Sequence, residues 1–146
     1  GIYLYSYAKN VEDAKLEANE LIKYLKSSRN SNFELPIFYD IEEDNQISYG
    51  KKAITDITIA FCETMKNAGY EVGVYSYWLN NYMEISRLPA DYSLWGADYG
   101  TNNNGQIPSD LDKYSETYDI WQFTDKAQID GINGYVDMNV CYKKYF

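Results

Sequence analysis

Histidine is absent from these 146 residues, which excludes Ser-His-Asp and Cys-His nucleophilic centres and His-ligated zinc. Cysteine is nearly so: Cys62 and Cys141 are too few for a disulfide framework or a zinc cage. Cys62 falls on an apolar position of a helical pattern and reads as a buried free thiol. Positive charge is scarce, with 13 Lys and Arg against 22 Asp and Glu, a net charge of −9. Nucleic acids and anionic membrane surfaces both require basic patches, so neither is an expected partner. No apolar run approaches the ~20 residues of a membrane span. The chain opens on a strand-like run without the pattern of a signal peptide, as a mature or trimmed chain would. No motif for a cofactor or a metal stands out. What is plentiful is tyrosine, 17 residues, which offers a flat apolar face and a hydroxyl suited either to a core or to sugars.

The length suits one domain over 1–146 with a real core. Gly1 to Tyr7 reads as a strand, and Asn10 caps a helix with Glu12 and Asp13 in its first turn. Val11, Ala14, Ala18, Leu21, Ile22 and Leu25 give that helix one apolar stripe. Ser27 to Asn32 is a loop, and Leu35 to Glu42 a second strand. A helix over about Lys51 to Ala68 buries Ala53, Ile54, Ile57, Phe61 and Met65, and Gly69 follows where a left-handed cap belongs. Strands follow over Glu71 to Tyr77, Ser93 to Tyr99, Tyr118 to Thr124 and Tyr135 to Val140. A short helix through Leu79 to Ile85 precedes the fourth strand, a long loop over Gly100 to Glu116 the fifth, and a turn or irregular hairpin over Asp125 to Gly134 the sixth. Strands alternating with helices imply parallel pairing through right-handed crossovers. The expected fold is α/β: an incomplete TIM-like (β/α) barrel with six strands, three helices in its first half and loops joining the later strands.

The chemistry concentrates in Leu35-Pro36-Ile37-Phe38-Tyr39-Asp40-Ile41-Glu42-Glu43-Asp44, an apolar run that ends in carboxylates. Side chains alternate along a strand, so Asp40 and Glu42 share a face, about 6.6 Å apart. Like charges in a partly dry pocket push one proton affinity up. One acid then keeps its proton while its neighbour is ionised, the division of labour glycoside hydrolysis uses. The competing reading is a polar strand end running into an acidic, solvated loop. Other strand ends repeat the polar or aromatic pattern: Tyr5 and Tyr7, Tyr75 and Tyr77, Asp98 and Tyr99, Trp121 and Gln122, Asp137 and Asn139. That repetition marks a β/α barrel with its site at the C-terminal strand ends.

The order GIYLYSY, LPIFYDIEE, GYEVGVYSYWL, SLWGADYG, YDIWQFT and GINGYVDMNV resembles the family 25 glycoside hydrolases, lysozymes of bacteria and phages. The resemblance runs from Gly1 to about Tyr142, and its most specific parts are the Asp-Ile-Glu strand and the closing Gly-Ile-x-Gly-x-Val-Asp-x-Asn segment. It implies a peptidoglycan muramidase that cleaves the β-1,4 bond between N-acetylmuramic acid and N-acetylglucosamine. It also implies Glu42 as catalytic acid, Asp40 as assisting carboxylate and Asp137 lining the site. Action would then be extracellular, at the cell wall, or as a phage endolysin released at lysis. Tyr7, Tyr75, Trp95, Asp98, Tyr99 and Trp121 are candidates for binding the glycan, with core packing the alternative for the aromatics. Members of the family normally begin with two further βα units, the first carrying another acid, and this chain has neither. The resemblance therefore implies an open barrel, poorly active alone, that self-associates through two unpaired parallel edges, the strand of Ile2 to Tyr7 and that of Tyr135 to Val140. A non-catalytic or partner-completed glycan-binding module, and a glycosidase of another barrel family with an Asp-x-Glu strand, are the competing functions.

Overall fold

A computed structural model describes residues 1–28, 33–77 and 79–145. Residues 29–32, most of the loop expected between the first helix and the second strand, lie outside these. Strand β1 (Ile2–Tyr5) leads to α1 (Val11–Ser27), β2 (Ile37–Asp40), the one-turn α2 (Asp44–Ile47) and α3 (Lys51–Asn67). Then come β3 (Val72–Tyr77), the short α4 (Leu79–Tyr82), a 3-10 turn (Ile85–Arg87), β4 (Ser93–Ala97), β5 (Ile120–Ala127) and β6 (Val136–Cys141). The strands form a single sheet in the order β1-β2-β3-β4-β5-β6, with β1 and β6 at its edges.

Local chemistry sets the helix limits. The Asn10 side chain accepts the Asp13 backbone N–H at 3.0 Å, and Asp13 accepts that of Lys9 at 3.0 Å, a reciprocal cap. Gly69, at φ +93°, ends α3 in the left-handed conformation and lets the Tyr70 N–H reach back to Met65. Both helices back the sheet. Ala14, Ala18, Ile22 and Leu25 of α1 and Ile54, Ile57, Phe61, Cys62 and Met65 of α3 join Ile37, Tyr39, Ile41, Val72 and Val74 in one core. Tyr39 stacks on Phe61 with centroids 3.9 Å apart and planes 8° from parallel. Burying a side chain of that size is worth about 1.5–3 kcal/mol.

Strands β1 to β5 are parallel, and β6 runs antiparallel to β5. The parallel edge expected for the last strand is thus corrected. Only residues 128–135 join β5 to β6, which suffices for a hairpin but not for the crossover a parallel pair requires. Strand β5 also runs on to Ala127, through part of the expected turn, with two register shifts against β6. Strand β2 ends at Asp40 rather than Glu42, although the Ile41 N–H still bonds the Tyr75 carbonyl at 3.0 Å and keeps the alternation going.

The face turned away from the helices carries Tyr3, Tyr5, Phe38, Asp40, Tyr75, Trp95, Gln122 and Asn139. Its lower part is a cavity of about 370 Å³ bounded by Ile2 and Tyr3 of β1 and by Asn139 and Cys141 at the end of β6. Both edges of the sheet therefore border one hollow. Gly73 has no side chain because the Phe38 ring crosses it: a Cβ there would come within 2.4 Å of that ring.

Candidate active site

Strand β2 carries the acids, and its register decides their setting. Tyr5 of β1 and Tyr75 of β3 pair with Asp40 on either side, so two tyrosines flank the carboxylate on the open face. Asp40 is 4% exposed, and its Oδ1 is buried without a hydrogen-bond partner. Burial, reinforced by the Glu42 charge, pushes its carboxyl up to about 8. Glu42 is half-buried, and its carboxyl is also raised, by burial and then by Asp137 and Glu43. Asp137 projects from β6 toward the same place, and its own carboxyl is raised by burial and by Asp125 against a lowering bond from Gln122. Three carboxyl groups from two distant stretches thus compete for charge at the C-terminal end of the sheet.

Tyrosines complete the surround. Tyr5 donates its hydroxyl to Glu43 Oε1 at 3.0 Å, and Tyr7, 67% exposed, lies with its ring centroid 5.3 Å from that of Tyr5. Tyr75 and Tyr99 both donate to Gln122 Oε1, at 2.6 and 2.9 Å. Trp95 lies deeper, against Phe38 and Tyr75, and donates its indole N–H to Asn139 Oδ1 at 2.8 Å.

Two of the expected glycan-binding residues stand elsewhere. Trp121 is 3% exposed, packs against Tyr114 and Phe123, and donates its indole N–H to the Asp98 carbonyl. Its ring faces the segment between β4 and β5 rather than the acids. The Asp98 carboxylate takes the Tyr114 hydroxyl, the Gly100 N–H and the Lys113 ammonium. Burial pulls it up, but those three partners hold it below the usual carboxylate range. Strand alternation is the cause. Trp95 and Gln122 are in phase with the open face, whereas Trp121 and Asp98 are one residue out of phase and meet the segment between β4 and β5. A cavity of about 490 Å³ beneath that segment is lined by Asp98 and Trp121 but by neither Asp40 nor Glu42. Tyr5, Glu43 and Gln122 are the residues of the site that the motif alone did not single out. Tyr5 and Gln122 share the phase of the open face, whereas Glu43 lies beyond the strand at the start of α2 and carried no such signal.

The model of the glycosyl hydrolases family 25 matches residues 1–132. The chain belongs to this family. The match stops short of β6, so it does not extend to Asp137. No curated protein matches. Among solved structures, the catalytic domain of the endolysin ply40, from bacteriophage P40 of Listeria monocytogenes, is 31% identical over 97% of this chain and 66% of that one, with a TM-score of 0.73. A glycosyl hydrolase 25 of Streptococcus pneumoniae, the virulence factor GHIP, is 22% identical over 98% and 60%, with a TM-score of 0.73. The modular Cpl-1 endolysin, solved with a peptidoglycan analogue, is 22% identical over 96% and 38%, with a TM-score of 0.66. The last two show the fold alone. The chain spans less than two thirds of each of these proteins. Among the described residues no group of three or more Cys, Asp or Glu is placed to hold a metal ion, and no helix is long and apolar enough to cross a membrane.

Proposed function

We propose that this family 25 chain carries the acid pair of a peptidoglycan hydrolase, a muramidase acting on the β-1,4 bond between N-acetylmuramic acid and N-acetylglucosamine. The observation that carries the reading is Asp40: a carboxyl group 4% exposed, with an unpartnered oxygen, on the face of the sheet turned away from the helices and beside a second raised carboxyl. An unsatisfied acceptor of that kind is costly in a structure and persists where a ligand satisfies it. The acetamido N–H of a bound sugar is such a donor. Accepting it favours ionised Asp40 and drives the shared proton toward Glu42, which then protonates the leaving glycosidic oxygen. Asp40 orients the acetamido group so that its carbonyl attacks the anomeric carbon as the oxocarbenium-like centre develops. Asp137 keeps charge on Glu42 unfavourable until the transfer. The exposed Tyr7 and the half-buried Tyr99 present ring faces to the sugar, the buried Tyr75 backs them with its hydroxyl committed to Gln122, and the action is at the cell wall.

Two sheet edges bordering one hollow favour a second reading, in which the chain is a glycan-binding module that works only when another polypeptide completes it. Clearing of purified peptidoglycan, with identification of the new reducing ends, separates the two. New reducing-end N-acetylmuramic acid supports the muramidase. Glycan retention without new ends supports the module, and N-acetylglucosamine ends would overturn the assigned bond.

A further inference from the structure

Behind the acid pair, on the helix side of β2, Glu17 reaches from the middle of α1 to the C-terminal ends of two strands. Its Oε2 accepts the Tyr39 hydroxyl at 2.6 Å and lies 3.0 Å from Ser6 Oγ, and its Oε1 accepts the Tyr7 backbone N–H at 2.9 Å. Ser6 Oγ accepts the Ala8 N–H at 3.1 Å and the Gln46 side-chain amide at 2.9 Å. Its single proton goes to Glu17 or to the Tyr39 oxygen at 2.7 Å. Gln46 also donates to the Ala8 carbonyl at 2.9 Å. Ser6, Tyr39 and Gln46 are each no more than 2% exposed.

The placement of this network bears on the site. Tyr39 immediately precedes Asp40, and Gln46 lies in the helical turn that follows Glu42 and Glu43. The segment carrying the acids is therefore held on both sides, and both holds converge on one carboxylate of α1. Packing of α1 into the core it shares with α3 and the sheet is already accounted for by Ala14, Ala18, Ile22 and Leu25. A buried polar network adds geometry more than it adds stability. We propose that Glu17 is a positioning residue for the acid pair: through Tyr39 and through Ser6 and Gln46 it fixes the stand of Asp40 relative to Glu42. The proposal rests on the reading of those two acids as the working pair.

The test reads the Asp40 carboxyl directly, by carbon NMR titration of the 146-residue chain, and so requires no hydrolysis. The titratable groups acting on Asp40 and its partner are Glu42 and Glu43 on the same segment, Tyr5 of β1, Tyr75 of β3 and Asp137 of β6. None of them is removed in the test. Glu17→Gln supplies one acceptor oxygen where two are in use, so it serves either Tyr7 or the hydroxyl pair. Tyr39→Phe removes the hydroxyl and keeps the ring. Each variant is expected to lower the Asp40 proton affinity about ten-fold as the segment loosens and water reaches the carboxyl, one unit of pKa. The double variant adds little, because both changes break the same path. Ile22→Val, on the same helix and at a comparable loss of thermal stability, leaves the midpoint in place. An Asp40 midpoint that stays high in Glu17→Gln overturns the positioning role alone, as does an equal fall in Ile22→Val. A wild-type midpoint in the ordinary carboxylate range overturns the acid pair and the positioning role together.

Discussion

Phe38 and Asp40 lie two residues apart on the same face of β2, about 6.6 Å along the strand. Around Phe38 the hollow is apolar: Trp95 packs edge-on with ring centroids 5.2 Å apart, Gly73 leaves room for the ring, and Tyr3 and Ile2 form the wall. Asp40 lies outside that hollow, toward the C-terminal end of the strands, where the face is ionisable, with Glu42, Asp137 and two tyrosine hydroxyls. Burial, more than the neighbouring charge, raises the Asp40 proton affinity, and Phe38 is its neighbour on the same face of the strand. The helix-backed face of the same strand, with Tyr39 on Phe61, holds both residues in place.

The sharpest way to break this comparison is at the acids. Glu42→Gln keeps the shape of the side chain and removes its proton, so in any form of the protein that clears peptidoglycan it should lower the rate about 10²–10⁴-fold, with melting nearly unchanged. Asp40→Asn should be severely impaired as well. Unchanged clearing by the Glu42 variant would refute the assignment of the acid.

A smaller effect separates the two regions through pH. Folded Asp40 holds its proton to about pH 8, whereas the unfolded chain releases it near the ordinary aspartate value of about 3.9. Between those limits the folded state binds more protons than the unfolded one, so stability contributed at low pH is lost as pH rises toward 8. Wild-type melting temperature should therefore fall between pH 5 and pH 9. Asp40→Asn should flatten the fall without abolishing it, because Glu42 and Asp137 are raised in the same direction. Identical slopes would show that Asp40 is not the dry carboxyl described here.

Much of this was legible in the sequence, for reasons that differ by element. The apolar periodicity of α1 and α3 and the Asn10 and Gly69 caps are local signals, and the structure follows them. The alternation that places Asp40 on the open face is also local. What sequence spacing did not supply was the phase of Trp121 and Asp98, since it depends on which face of β5 and β4 meets the aromatic segment around Tyr114. The direction of β6 was open in the sequence. Strand–helix alternation pointed to a parallel edge, while the short stretch over Asp125 to Gly134 also read as an irregular hairpin, and the structure takes the hairpin. Glu17 carries no motif at all. Its role depends on Tyr7, Ser6 and Tyr39 arriving from two strands.

At the apolar hollow, the prediction concerns edges. Strands β1 and β6 each lack a neighbour on one side among the described residues, and Tyr3 beside them is 60% exposed. Unpaired backbone next to apolar surface recruits further chains. Light scattering should show the 146-residue chain as a dimer or larger species, and Tyr3→Lys, which places a charge on the edge, should shift it toward monomer. A monomeric wild-type chain at high concentration would mean that the hollow is better shielded than its geometry indicates.

The smallest effect distinguishes the two sides of the sheet chemically. Cys141 is exposed at the end of β6 and borders the hollow, whereas Cys62 is fully buried behind β3, its sulfur 3.9 Å from the Gly73 carbonyl. Burial raises both thiols, but Cys62 far more, and a thiol must ionise and be reached before it reacts. A thiol reagent should therefore label one cysteine per chain under native conditions and two after unfolding, with no reducing agent. Peptide mapping should place the first label on Cys141. A chain two hydrogens light and unreactive when unfolded would reveal a disulfide, which the positions of the two residues on opposite sides of the sheet oppose. If Cys62 were labelled first, the helix-backed face would be opening more readily than the open one. The rigid support ascribed to Tyr39, Phe61 and the Glu17 network would then be lost.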